Sequence, residues 1–237
     1  MQQEGRNVYA GLELGGSKSC VILFGSHYDT KPMPERQLGA NDSGSSSVAL
    51  LQIAAYFLQQ KTVLPSSCDL GFVWFDGEEA QLPGWDDGLR HPSRLQDNTY
   101  GSRNFVANLT SCGPNHCLPA TLDERKRAVR ALVLLDMIGA EPMILSQDTH
   151  TSAEWKQLLG PVLQSLGMTE RLSPVPRPIS DDHLPFLQKG IPAINLINFE
   201  VTTHWHRSSD TVDQIHMPSI EDFSRLAISL TLSLPPI

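Results

Sequence analysis

Carboxylates and histidines recur in this chain immediately after short apolar runs. SHYDT places His27 and Asp29 after the first run, and GANDSG puts Asp42 at the opening of a helical segment. FDGEEA brings Asp76, Glu78 and Glu79, ALVLLD ends on Asp136, and THWHRSSD holds His204, His206 and Asp210. Alone, each has an ordinary role: an Asp before a Ser/Gly-rich helix start is an N-cap, Glu78-Glu79 a solvated pair, and His206 a hydrogen-bonded structural histidine. Asp136 differs because it interrupts an apolar run, where an unpaired carboxylate is costly. Their shared position is more telling, because in open α/β sheets ligands bind at the carboxyl ends of the strands. Five or six carboxylates converging on that edge repel one another unless a cation is present. A divalent metal with mixed oxygen and nitrogen ligands removes the conflict, and Asp, Glu and His around an open position suit zinc. Neighbouring Glu78 and Glu79 leave a strand pointing in different directions. One can ligate the metal while the other faces a substrate as general base.

Apolar patterning supplies the elements that must carry these groups. Continuous apolar runs predict strands over 19–25, 70–75, 131–135 and 192–199. Helical spacing predicts helices over 44–60, 100–109, 152–166, 181–189 and 220–234, the fourth opening on Asp181 and ending at Gly190. Strands buried on both faces and separated by helices imply an α/β fold, with a mixed, largely parallel central sheet flanked by helices. The polar stretch 77–98 is too long for a passive connection. There is no internal repeat, and residues 1–237 read as a single catalytic domain.

Composition narrows the function classes. With 40% apolar and 19% charged residues the chain is neither disordered nor a coiled coil. A net charge of −8 argues against a nucleic-acid partner. No apolar run is long enough to span a bilayer, and the first residues lack the layout of a signal peptide, so the expectation is a cytosolic chain or one whose leader has been removed. Cys112 and Cys117 bracket a turn-like GPNH, where a small disulfide loop and a reduced pair are both open readings. Asn108-Leu109-Thr110 matches a glycosylation pattern.

The blocks HYDT, GANDSG, FDGEEA, LLDMIGA, DDHLPFLQKGIP and HWHRSSDTVD, in this order over residues 20–215, resemble the zinc aminopeptidase superfamily. Within it, LLDMIGA, YGSR (Tyr100–Arg103), the DDH-x-PFL-x-x-G-x-P pattern and Trp205 directly before the late histidine most resemble the glutaminyl cyclase family. The resemblance implies one zinc per chain on Asp42, Glu79 and His206, with Glu78 as general acid/base. It implies Asp136 and Asp181 as a hydrogen-bonded acidic pair near the substrate amine, and Trp205 and Trp85 as pocket-lining residues. Substrates would be peptides or proteins with N-terminal Gln, cyclised to pyroglutamyl with loss of ammonia, and the location secreted, secretory-pathway or periplasmic. The di-zinc aminopeptidases of the superfamily use the His of HYD and the Asp after the third strand for a second zinc. Both are present, as His27 and Asp136, so ligand count does not separate cyclisation from hydrolysis. A binding module that keeps a metal site is the third reading, and the intact Glu78 speaks against it. Two departures stand out: the stretch from Glu79 to Trp85 is a residue longer than in animal cyclases, and Ser26 stands where these often have a cysteine, so no disulfide is expected there.

Overall fold

The computed structural model describes residues 5–14, 18–60, 64, 67–82 and 96–236. Its strands are β1 (Val8–Leu12), β2 (Cys20–His27), β3 (Asp69–Phe75), β4 (Thr110–Cys112), β5 (Asn115–Cys117), β6 (Ala128–Asp136), β7 (Leu145–Asp148), β8 (Leu172–Arg177) and β9 (Ala193–Ile197). Its helices are α1 (Ser46–Gln60), α2 (Tyr100–Ala107), α3 (Ala153–Ser165), α4 (His183–Gln188) and α5 (Met217–Leu232).

Strands β3, β2, β6 and β9 lie side by side and parallel. β1 adds to β3 antiparallel, and the β4–β5 hairpin joins the start of β6. The sheet is mixed with a parallel centre and flanking helices, as expected. β2 alternates between two buried faces, with Ile22 and Phe24 in one apolar cluster and Val21 and Leu23 in the other. On the first face α1, α3 and α5 supply Leu50, Ile53, Phe57, Trp155, Phe223 and Leu226. On the second, Phe105 of α2 and Phe186 of α4 meet Phe75, with Phe75 edge-on to Phe105 at 5.9 Å between centroids. Fully burying each such ring stabilises the fold by roughly 1.5–3 kcal/mol.

This order sets the functional edge. From β2 the chain crosses to β3 on one side, and β6 lies on the other, so the strand order reverses at β2. The reversal opens a crevice at the strands' carboxyl ends, with His27 closing β2 and Asp136 closing β6.

The structure adds what apolar runs did not predict. β1 is an edge strand with three of its five residues exposed, and β7 and β8 form a separate two-stranded parallel sheet. Cys112 and Cys117 are bridged across the β4–β5 hairpin, which settles that choice. A second disulfide, unforeseen, joins Cys20 at the start of β2 to Cys68 just before β3. Among the described residues no helix is long and apolar enough to cross a membrane.

Candidate active site

Asp42 is not an N-cap. It lies in a wide turn over Ala40–Ser45 before α1, with non-helical φ −110° and ψ 85°. Gly39 makes that turn possible: its φ is +63°, and a Cβ there would sit 2.4 Å from the carbonyl oxygen of Asp42. Asp210 fixes the backbone, accepting the N–H of Asn41 at 2.7 Å and of Asp42 at 3.1 Å. The buried Asp42 carboxylate is thereby left to face inward, Oδ1 3.1 Å from His27 Nε2 and Oδ2 3.5 Å from His206 Nε2.

Glu78 and Glu79 follow β3 and are held from two sides. Asp29 accepts the N–H of Glu78 at 3.0 Å and of Glu79 at 3.1 Å, one on each carboxylate oxygen. The N–H of Thr99 donates to the Glu78 carbonyl at 2.8 Å, and that of Tyr100 to the Gly77 carbonyl at 2.7 Å. The start of α2 can come this close only because residue 101 is glycine, where a Cβ would lie 2.3 Å from the Asp76 carbonyl oxygen. Glu79 Oε1 then reaches His206 Nε2 at 2.9 Å. Burial, together with repulsion from Asp181, Asp182 and Glu79, outweighs the pull of His27 and pushes the Glu78 carboxyl well above the carboxylate range.

His206 adopts the left-handed backbone, φ 54°, which is uncommon for a residue with a side chain. Its ring stacks on Trp205 at 4.1 Å, and Trp205 meets Phe199 edge-on at 5.0 Å. A cavity of about 240 Å³ has Asp42, Glu78, Asp136 and Asp181 at its polar end and Ile179, Ile197, Phe199 and Trp205 as apolar wall. Trp85 lies outside the described residues.

Asp136 and Asp181 face the same cavity, and each also has a hydrogen-bond partner outside the pair. Asp136 Oδ1 bonds His27 Nε2 at 3.2 Å. Asp181 accepts Asn195 Nδ2 at 2.7 Å and the N–H of Asp182 at 2.6 Å. The two carboxyls couple through charge. Burial first, then the charge of Asp136, pushes Asp181 up to about 7.

Two groups of possible metal ligands result: Asp42, Glu79 and His206, and His27, Asp42 and Asp136. They share Asp42, one oxygen facing each histidine. Asp42 Oδ2 and Glu79 Oε2 are buried without a hydrogen-bond partner, and both belong to the first group. An unpaired buried carboxylate oxygen is expensive, and a divalent cation would satisfy both together. The first group therefore fits a metal, with imidazole and carboxylate donors of the kind zinc takes.

Sequence reasoning placed Asp29 and Asp210 on this edge without a task. Their work is to hold the backbone of the residues that face the metal position. Asn195 escaped altogether, because a polar side chain inside the apolar run of β9 was its only signal. Ser102 bonding Asp182 escaped likewise.

The family model of peptidase family M28 matches residues 7–231, and the chain belongs to that family. A glutaminyl-peptide cyclotransferase-like protein of Mus musculus is 29% identical over 238 residues, covering 93% of this chain and 58% of the relative. The chain thus spans less than two thirds of the curated relatives it matches. The solved glutaminyl cyclase of Macrostomum lignano is 27% identical, with a TM-score of 0.72 over 98% of this chain and 74% of that one. A leucine aminopeptidase precursor from Bacteroides thetaiotaomicron, 20% identical, shares the fold at a TM-score of 0.75 over 96% of this chain and 76% of its own.

Proposed function

We propose that residues 1–237 form one catalytic domain that converts N-terminal glutaminyl residues of peptides and proteins to pyroglutamyl residues, releasing ammonia, with one zinc ion in the active site of each chain. The observation that carries this reading is Glu78, buried on the cavity wall beside the ligand group, its carboxyl pushed well above the ordinary carboxylate range by burial. Relatives named for glutaminyl cyclisation support it. Asp42, Glu79 and His206 would hold the zinc, which when bound supplies a Lewis acid toward the substrate's γ-carbonyl oxygen.

In this reading Glu78 accepts a proton from the substrate's α-amino group. The amine nitrogen bonds to the γ-carbon, closing a five-membered ring. The bond from that carbon to the carboxamide nitrogen breaks, and Glu78 returns the proton to the departing nitrogen, which leaves as ammonia. Because the nucleophile belongs to the substrate, the chain supplies orientation and charge and need not activate water. Asp136 and Asp181 favour a substrate end that carries an amine, and Trp205 walls the pocket. A net charge of −8 fits peptide partners better than nucleic acid. The two disulfides, one buried between β2 and β3, fit an oxidising compartment, hence a secreted, secretory-pathway or periplasmic location.

A second reading, a di-zinc aminopeptidase, draws on the His27, Asp42 and Asp136 group. Zinc-replete protein incubated with Gln-Xaa and Leu-Xaa dipeptides separates the two. Ammonia and a pyroglutamyl product from the first, with the second intact, supports the cyclase. Free leucine at a similar rate overturns it.

A further inference from the structure

Away from the cavity, Asp148 ends β7, His150 lies two residues further on, and His183 opens α4. Asp148 and His183 are completely buried in their side chains, while that of His150 is 41% exposed. One ligand-type atom from each lies within 4.8 Å of the others. His183 Nε2 and Asp148 Oδ2 pair at 2.8 Å, both buried and with no other hydrogen-bond partner. With Nε2 unprotonated, its lone pair and one of Oδ2 can instead converge on a third position. Asp42 Oδ2 and Glu79 Oε2 of the active-site ligand group are likewise buried without a further hydrogen-bond partner.

We propose that Asp148, His150 and His183 form a second divalent-cation site, separate from the active site and open to solvent through His150. Two imidazoles and one carboxylate suit a first-row cation of the zinc type. The other Asp148 oxygen is already committed, Oδ1 accepting the N–H of His150 at 3.0 Å and of Ile179 at 3.2 Å, so the ligand is oriented before any cation arrives. His150 Nδ1 lies 3.1 Å from the Ile179 carbonyl oxygen. Of the three side chains His150 alone is exposed, so a cation would enter past it. The site backs onto the cavity wall, because Ile179 and Asp181 line the cavity from the segment leading into His183. A cation there would brace that wall, which gives the site a structural task.

The test is zinc stoichiometry in the full chain, stripped with chelator, reloaded with zinc(II), freed of excess and counted by elemental analysis. Wild type should carry one more zinc than His150→Ala. Glu79→Gln, impaired only in the active-site group, should retain the His150-dependent zinc, and zinc should raise its Tm. The Glu79→Gln, His150→Ala double variant should show no such Tm rise. Anomalous diffraction should place the extra ion between Asp148 and His183. Equal zinc content in wild type and His150→Ala, or an identical Tm response in the single and double variants, would overturn the proposal. Since exposed His150 is the residue removed, loss of fold does not stand in for loss of metal, and circular dichroism of the variant verifies this.

Discussion

The carboxylate of Asp29 accepts the backbone N–H of Glu78 at 3.0 Å, and its other oxygen takes the next amide along. Asn at position 29 can accept only one of these, and its amide group would oppose the other N–H. Leaving a buried donor unpaired costs about 1–3 kcal/mol. Asp29→Asn should lower turnover of a Gln dipeptide about 10–100-fold by misplacing both glutamates, measured as initial ammonia release alongside zinc content. His27 and the two amides outweigh burial and hold Asp29 below its ordinary value. Its stabilisation is therefore present above the usual carboxylate range and is lost as pH falls through the lowered value. The variant should flatten the acid limb of a Tm–pH curve.

Neighbouring glutamates should give opposite phenotypes. Glu78→Gln keeps shape but cannot carry a proton, so turnover should fall about 10²–10⁴-fold with zinc content unchanged. Glu79→Gln should instead release zinc at lower chelator concentration. Near-normal turnover in Glu78→Gln would remove it from the mechanism.

Asp181 titrates high, at about 7, because it is buried beside Asp136. A carboxyl raised on folding binds its proton more tightly in the native state, so stability declines as pH rises from about 4 towards 7. In chelator-treated protein, Asp181→Asn should remove up to about 1.4 kcal/mol per pH unit from that decline. Denaturant midpoints at pH 5 and pH 7.5 read it, and an unchanged slope would contradict the assignment.

Trp205 meets Phe199 edge-on, stacks on His206 and lines the cavity. Aromatic contacts of this kind contribute about 0.5–1.5 kcal/mol each. Trp205→Ala should raise KM or lower turnover several-fold while Tm changes little. A large drop in Tm with unaltered kinetics would make Trp205 a packing residue only.

The two disulfides should differ in weight. Cys20–Cys68 closes a loop with a sequence separation of 48, against 5 for Cys112–Cys117. Loop-closure entropy assigns about 4 kcal/mol to the first and about 2 kcal/mol to the second. Thermal melts of Cys20→Ser with Cys68→Ser, against Cys112→Ser with Cys117→Ser, should preserve that order.

The central strands were legible because both faces are buried: every residue of β2 is covered, and the apolar run is unbroken. β1 was not, since its exposed residues blur any pattern, nor was β8, whose Pro174 and Pro176 argue against a strand. The carboxylates on the functional edge could be found because polar groups interrupt apolar runs there. What Asp29 and Asp210 do could not, because each holds amides far away in the chain, 49 residues and more, which only tertiary structure brings near. The hydrogen bond from Asn195 to Asp181 was hidden for the same reason: the two stand on different elements.

Asp210 lies four residues beyond His206, and it holds the backbone of Asp42. One short stretch near the end of the chain thus brings both the last metal-facing side chain and the clamp for the first. During synthesis the amino-terminal half emerges early, at about 5–20 residues per second. Asp42 meets neither partner until the ribosome has passed residue 210. A chain stopped short of residue 206 lacks the Asp42, Glu79 and His206 group, so a cation captured there marks synthesis past that point.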